Sequence, residues 1–290
     1  MAIAKYDGTD FLNLDALSAA VSIEYGRLNG ATSYYFLRIP RYDLNGRRVS
    51  PKVALTSADG SVDGTKVSTL TFAKREHTSV AINAGLFNTS TKKPEGQLVI
   101  GGVDGTVYKT DAQTGDPYAW MDDDMGSPIG AHECYPLLID GTGSLSCVSE
   151  DRTAAENQPA ALIAAGYKYA VTGWGMLINN YTDDDLSTDE IVHQGTHIRQ
   201  IIGQFQNGDY FIFCCDKTGY SGATAPQSHE AGASYADISA FLIGRGVKFA
   251  YSLDGGGSCE TALGSRQVNP IFDGAAGRAV PTVIYWSADE

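Results

Sequence analysis

Residues 247–261 read VKFAYSLDGGGSCET. A largely apolar run ending at Leu253 meets Asp254, three consecutive glycines and Ser258. Glycine loses more backbone freedom on folding than any other residue, and a flexible linker would set such a run in polar, low-complexity sequence. Here it follows directly on a strand-like segment, so it reads as an ordered loop at the C-terminal end of a buried strand. Just upstream, GASYADISAFLIGRG (232–246) has the marks of a helix: Ser234 in position to cap, Asp237 three residues on, and Ile238, Phe241 and Leu242 on one stripe. Gly244 or Gly246 ends it. The unit is therefore helix, tight glycine turn, strand, glycine loop.

Working outward, most of the chain alternates short apolar runs with turn residues. ATSYYFLRIPRY and RRVSPKVALTS read as strands, as do SVAIN (79–83), YPLLID, YKYAVTGWGMLINN, THIRQIIGQF and DYFIFCC. Asp104-Gly105 is expected to turn a hairpin between GQLVIGGV and TVYKT, and QNGD another further on. NLDALSAAVSIEYG predicts a short N-terminal helix, with Leu14, Leu17 and Val21 on one face and Gly26 as its stop. The expected fold class is α+β: one domain with a mixed, mainly antiparallel sheet wrapped around the helix near 234–244. Residues 1–50 are expected to form an N-terminal arm and first strand, an attachment or oligomer contact, and 51–290 the main domain.

The composition fits an ordered globular chain, with 43% hydrophobic and 19% charged residues among 290. The net charge of −13 disfavours nucleic acid and anionic membranes as partners. No apolar run reaches the ~18 residues of a membrane span. The N-terminus lacks a basic segment leading into an apolar one, so the expected location is cytoplasmic or virion-associated. Five cysteines at irregular spacing point to free thiols. The acidic stretches WMDDDMGS and YTDDDLSTDEI lack calcium-loop spacing and read as solvated loops. His193 and His197 are four apart, but Gly195 between them argues against a helical zinc site. No metal or cofactor is expected, and nothing in the spacing supports a structural Ca²⁺ or Mg²⁺.

Seven segments carry polar residues at strand ends or in tight loops: NAGLF with Asn83 and Gly85, PLLIDG, RQIIG with Arg199, DKT with Asp216 and Lys217, the helix start GAS, LDGGGS, and RAVP near the C-terminus. Singly each is an ordinary turn or strand fragment. Their combination and order, over about residues 79 to 285, resembles the phosphodiester glycosidase family. In that family Gly-Arg follows the aspartate where Lys217-Thr218 stands here.

The resemblance implies cleavage of a sugar-1-phosphodiester to free sugar and phosphate monoester, with a sugar-phosphodiester or phosphoglycan as substrate. Asp254 and Asp216 are candidates for the carboxylate role that a positively charged sugar transition state calls for, and Arg199 for binding the phosphate through two nitrogens. Asn83, Gly85, Lys217, Gly255, Gly256, Gly257 and Ser258 are candidate substrate-binding residues. The three glycines are expected to admit the substrate to the backbone and to aim successive N–H groups into an anion nest. Asp254 has a competing role, bracing its own loop. Two other functions fit the same residues: a binding module for phosphosugar polymers or nucleotide-like ligands, phage-borne in one version, and a phosphodiesterase that cleaves P–O. Strand ends are expected to bring Asn83, Arg199, Asp216 and Asp254 to one cleft.

Overall fold

The computed structural model describes residues 15–30, 32–107, 135–148, 154–183, 195–215, 232–270 and 276–287. The chain begins with β1 (Ser22–Leu28) and β2 (Thr32–Ile39), followed by β3 (Lys52–Leu55), α1 (Thr69–Glu76) and β4 (Val80–Asn83). Two short hairpins come next, β5 (Leu98–Ile100) with β6 (Val103–Asp104) and β7 (Pro136–Asp140) with β8 (Leu145–Cys147). Helix α2 (Pro159–Ala164) leads to β9 (Tyr167–Thr172), β10 (Gly175–Asn179) and β11 (Thr182–Asp183). The hairpin of β12 (Gln200–Phe205) and β13 (Tyr210–Cys215) precedes α3 (Tyr235–Ile243) and β14 (Val247–Ser252). β15 (Thr261–Leu263), β16 (Arg266–Gln267) and β17 (Thr282–Trp286) finish the fold.

The fold class is the expected α+β, and the strands divide among three sheets. The first has seven strands in the order β1-β2-β13-β12-β14-β10-β11. The second runs β16-β15-β4-β17-β3 and the third β6-β5-β9-β7-β8. Every pairing among the described strands is antiparallel, for example Ile202 opposite both Ile212 and Tyr251. The main core lies between the sheets: Leu37 and Ile212 from the first, Ile82 and Trp286 from the second, Leu137 and Val171 from the third. Burying such side chains, at roughly 25 cal/mol per Å² of apolar surface, is the main force holding the layers together.

Helix α3 forms where the sequence places it. Ser234 caps it by accepting the Asp237 N–H (3.1 Å). It packs on the outer face of the seven-stranded sheet, with Ile238 and Leu242 against Ile201, Phe213 and Ala250. The helix is thus a cover on one sheet face, with the larger core on the other.

Three local expectations change. The N-terminal helix is absent: among residues 15–28 there is one 3-10 turn, Ser18–Ala20, and then β1. Asn29 and Gly30, both at positive φ, reverse the chain so that Ile23 and Tyr25 stand opposite Leu37 and Tyr35. Cross-strand pairing outweighed the helical spacing of Leu14, Leu17 and Val21. The β5–β6 turn is made by Gly101-Gly102, φ +61° and +82°, instead of Asp104-Gly105, because both turn positions need positive φ. Helix α1 was not anticipated, since two β-branched threonines weaken its helical signal. Ser68 caps it, and Phe72 and Ala73 bury it against the second sheet. β1 and β2, from the stretch read as an N-terminal arm, are one edge of the seven-stranded sheet, with β2 paired along β13. Among the described residues, no helix is long and apolar enough to cross a membrane.

Candidate active site

The three sheets meet at one seam, and the glycine loop lies on it. Asp254 leaves the end of β14 and donates its N–H to Ala84 O (3.0 Å), just past β4 of the second sheet. Two residues on, Leu86 donates to Thr172 O (2.8 Å), the end of β9 in the third sheet. Trp174 N–H in turn returns to Ser252 O (2.8 Å). The ends of β14, β4 and β9 therefore converge within hydrogen-bonding distance of one another.

Asn83 holds the loop at both ends. Its Nδ2 donates to Asp254 O (2.8 Å), and its Oδ1 accepts Glu260 N–H (3.1 Å). The residue is 1% exposed, and its amide is spent on bracing the loop from beneath. Asn83→Ala would strand a buried carbonyl and a buried N–H. We expect it to lower stability by about 2–4 kcal/mol and kcat/KM by roughly tenfold or more as the loop loosens, read by urea denaturation and initial rates.

Gly85 likewise has a packing role. A Cβ there would lie 2.6 Å from Val171 Cγ2 and 2.7 Å from Thr172 O, so glycine is needed for the chain to pass the end of β9. The residue is buried.

The loop itself turns through a 3-10 segment, Gly256–Ser258. Gly255 crosses close over Ile198, whose carbonyl a Cβ would approach to 2.6 Å. Gly256 sits at φ +58° with open space beside it. In this arrangement the N–H groups on either side of Gly257 are paired inside the protein. Gly255 N–H goes to Asp254 Oδ1 (2.9 Å), Gly256 N–H to Ile198 O (2.9 Å), Ser258 N–H to Gly255 O (3.1 Å) and Cys259 N–H to Gly256 O (3.2 Å). Donors already paired inside the protein are not available to a phosphate.

The Asp254 carboxyl is partly buried at this seam. Burial pushes it up to about 6. The Ser258 hydroxyl, the Arg278 guanidinium, the Gly255 N–H and the Lys92 ammonium pull the other way. Ser258 is buried, and its Oγ accepts Arg278 Nη1 (3.2 Å). Arg278 and Lys92 were absent from the sequence-based site. Arg278 is the arginine of RAVP, and Lys92 lies five residues beyond NAGLF. Glu260, also unanticipated, is a second buried carboxylate. Burial raises it above the usual range, opposed by the N–H groups of Leu70 and Thr69 at the start of α1.

Arg199 precedes β12 by one residue, with its carbonyl accepting Cys215 N–H (3.2 Å). Its side chain is 4% exposed. Nη1 donates to Tyr235 OH (3.0 Å), Nη2 to Gly195 O (3.3 Å), and the guanidinium carbon lies 3.9 Å from the Tyr235 ring centre. Tyr235 OH also shares a hydrogen bond with Ser252 Oγ (2.7 Å). The backbone of Arg199 thus adjoins the glycine loop, and its side chain is locked against α3. Asp216 and Lys217 lie outside the described residues, as does His193. Among the described residues, no three His, Cys, Asp or Glu side chains gather as a metal site would require.

Comparison with solved structures supports the architecture. The catalytic domain of zebrafish N-acetylglucosamine-1-phosphodiester alpha-N-acetylglucosaminidase, auto-inhibited by its pro-peptide, superposes with a TM-score of 0.60 at 18% identity, over 93% of this chain and 82% of that one. A hypothetical protein from Synechocystis matches with a TM-score of 0.57 at 15% identity, over 91% of this chain and 61% of the other. At these identities the likeness is one of fold. No protein with a curated description matches the sequence. The sequence profile of the phosphodiester glycosidase family matches residues 76–286, from the last residue of α1 through the last strand of the second sheet. With most of its length inside that match, including the seam and the glycine loop, the chain belongs to the phosphodiester glycosidase family.

Proposed function

We propose that the protein hydrolyses the glycosidic bond of a sugar-1-phosphodiester, releasing free sugar and a phosphate monoester. The observation that carries this reading is Asp254 at the meeting point of three sheets: Asn83 holds its carbonyl, its carboxylate accepts the Gly255 N–H, and the Arg278 guanidinium reaches Ser258 of the same loop. Breaking the C–O bond leaves its electron pair on the phosphate oxygen while positive charge develops on the sugar ring. A phosphate monoester departs far more readily than a sugar alcohol, so the demand for a strong general acid falls. The site instead needs an anionic group facing the anomeric carbon and positive charge near the departing phosphate. Asp254 supplies the first. Asp216 stays in the proposal as a second carboxylate, and Lys217, Gly256, Gly257 and Ser258 as groups near the substrate. Arg199 stays as a fixed charge beside the loop.

Hydrolysis in water enriched with oxygen-18 tests the bond assignment. Label in the sugar hydroxyl supports C–O cleavage, whereas label in the phosphate would make the protein a phosphodiesterase. Binding of the diester without product would make it a binding module.

The raised carboxyl of Asp254 gives a pH signature. A carboxylate that acts in its ionised form loses activity as it takes up a proton, so kcat/KM is expected to rise with pH through about 6 and then level off. A rate that falls as pH rises through the same region would assign Asp254 the role of acid.

A further inference from the structure

Cys214 and Cys259 come from different elements and pack on each other, with Ile198 against them. Each is 1% exposed, and both carry unbridged thiols. Cys214 is the last residue but one of β13, and Cys259 directly follows Ser258 of the glycine loop. From this geometry we propose that Cys214 and Cys259 are a dithiol pair that closes into a disulfide, a covalent clasp between the seven-stranded sheet and the exit of the glycine loop. The clasp bears on the stability of that loop, so it stands apart from the identity of the substrate.

Strand alternation aims the first thiol. Along β13, Phe211, Phe213 and Cys215 face α3, whereas Tyr210 and Ile212 face the core between the sheets. Cys214 continues the second row, by the strand period of two. Its directly opposite neighbour on β12 is Gln200, which shares that face. Gln200 Nε2 donates to Thr261 Oγ1 (3.2 Å). Two opposed residues of the sheet thus meet two residues of the segment after the loop, Gln200 with Thr261 and Cys214 with Cys259. Cys259 and Thr261 are themselves two apart, so one register accounts for both contacts. The second thiol is fixed through its backbone. Cys259 N–H donates to Gly256 O (3.2 Å), and its carbonyl accepts Asn269 Nδ2 (2.9 Å). The same Asn269 accepts Thr261 N–H at Oδ1 (2.7 Å). Both sulfurs are therefore presented by backbone that is anchored on either side.

Burial pushes the Cys259 thiol well above its usual range, and the neighbouring Cys214 thiol raises it further. The thiolate is the reactive form. The pair therefore stays reduced while the loop is closed, and local opening of the loop starts the exchange. The oxidant is a small disulfide such as oxidised glutathione. One protein thiol gives up its proton and attacks a glutathione sulfur. A protein–glutathione S–S bond forms as the glutathione S–S bond breaks, and the first glutathione leaves with that proton. The second protein thiol then loses its proton and attacks the protein sulfur of the mixed disulfide. The Cys214–Cys259 bond forms, and the second glutathione leaves as its thiol. The two cysteines lose two electrons and oxidised glutathione gains them. The bridge closes a loop of about 45 residues that contains α3 and β14, which restricts the unfolded chain far more than the folded one.

The test equilibrates the full chain in mixtures of reduced and oxidised glutathione at mildly alkaline pH. Equilibrium is approached both from the folded protein and by refolding from urea, so slow access to buried thiols does not decide the result. Remaining thiols are alkylated, and linked peptides are mapped by mass spectrometry. A Cys214–Cys259 bridge is expected, with a dithiol–disulfide equilibrium constant about 100-fold larger in the folded protein than in denaturing urea. The bridged form should melt roughly 5 °C above the reduced form, and dithiothreitol should reverse the shift. Cys214→Ala and Cys259→Ala should each abolish both the mapped bridge and the shift on oxidation. If one of them does not fold, the other and the wild-type equilibrium carry the test. Cys147→Ala should keep both signals, since Cys147 lies on β8 in the third sheet. An equilibrium constant no larger in the folded protein than in urea would overturn the proposal and leave the two thiols as packing groups. So would a native bridge that joins either cysteine to Cys134, Cys147 or Cys215.

Discussion

Asp254→Asn is expected to reduce hydrolysis of a sugar-1-phosphodiester by about 10³-fold or more while the protein stays folded. The substitution keeps the shape of the side chain and an oxygen for the Gly255 N–H that Oδ1 now accepts. What it removes is the negative charge proposed to face the sugar. Stability should move in the opposite direction to activity. In the unfolded chain the carboxyl titrates near 3.8, and in the folded protein near 6. Below pH 3.8 the group is neutral in both states and adds nothing. Between these values the folded state holds the extra proton, so stability declines as pH rises, and above about 6 the full cost of the buried charge is present. At pH 7.5 the asparagine variant should therefore be more stable than wild type, by about 1–2 kcal/mol once partial exposure to solvent is allowed for. The difference should vanish below pH 4. Urea denaturation at the two pH values, with a reducing-sugar assay alongside, measures both effects. Wild-type turnover in Asp254→Asn would leave this carboxylate as a brace for the glycine loop and nothing more.

The second large effect is on the fold. Gly203, the last residue of RQIIG, lies in the middle of β12, paired with Phe211 on one side and Ala250 on the other. A Cβ at this position would fall 2.1 Å from Phe249 O and 2.3 Å from the Phe211 ring. The ring has close-packed neighbours, Phe36 and Phe205, at centroid distances of 5.4 and 5.7 Å, and the carbonyl belongs to a central strand. Neither can give way without opening the sheet. Gly203→Ala is therefore expected to cost about 3–4 kcal/mol, at the upper end for overpacking, and to lower the melting temperature by roughly 10 °C. Loss of the active site would follow from the same movement, because β12 also supplies the Gln200 carbonyl that accepts Leu253 N–H, one residue before Asp254. An alanine variant that melts within 2 or 3 °C of wild type would show that the strands part more easily than their packing implies.

Both effects begin in short motifs, and they differ in what the sequence says about them. Strand and helix identity along most of the chain follows from local pattern. The stripe of Ile238, Phe241 and Leu242 with its Ser234 cap reads as a helix from local pattern and is one in the fold. The QNGD turn is equally local. The pattern fails where two local signals compete, as at residues 15–28, and only pairing with β2 resolves them. Glycine motifs are visible in the sequence, but their reasons are not. Gly85 and Gly203 are glycines because another strand passes within contact distance, and Gly256 because the chain needs positive φ.

The candidate site divides in the same way. Asp254 stands out in the sequence because three glycines after a buried strand need an explanation. The order of motifs then points to a family. Asn83 was singled out as well, yet its partners are Asp254 O and Glu260 N–H, so its contribution is to shape. The nest expected of the glycines required free N–H groups, and those of Gly255 and Gly256 are taken up by Asp254 Oδ1 and Ile198 O. Arg278 and Lys92 carry no signal beyond being basic residues near turns. Their charges act on the Asp254 carboxyl only because the fold brings RAVP and the loop after NAGLF toward it. Local sequence determined which segments are strands, helices and tight turns, since those depend on neighbours a few residues away. Tertiary structure alone decided which charges face Asp254, because electrostatic interaction depends on distance through space, and Lys92 and Arg278 lie far from Asp254 along the chain in one case and beyond another hairpin in the other.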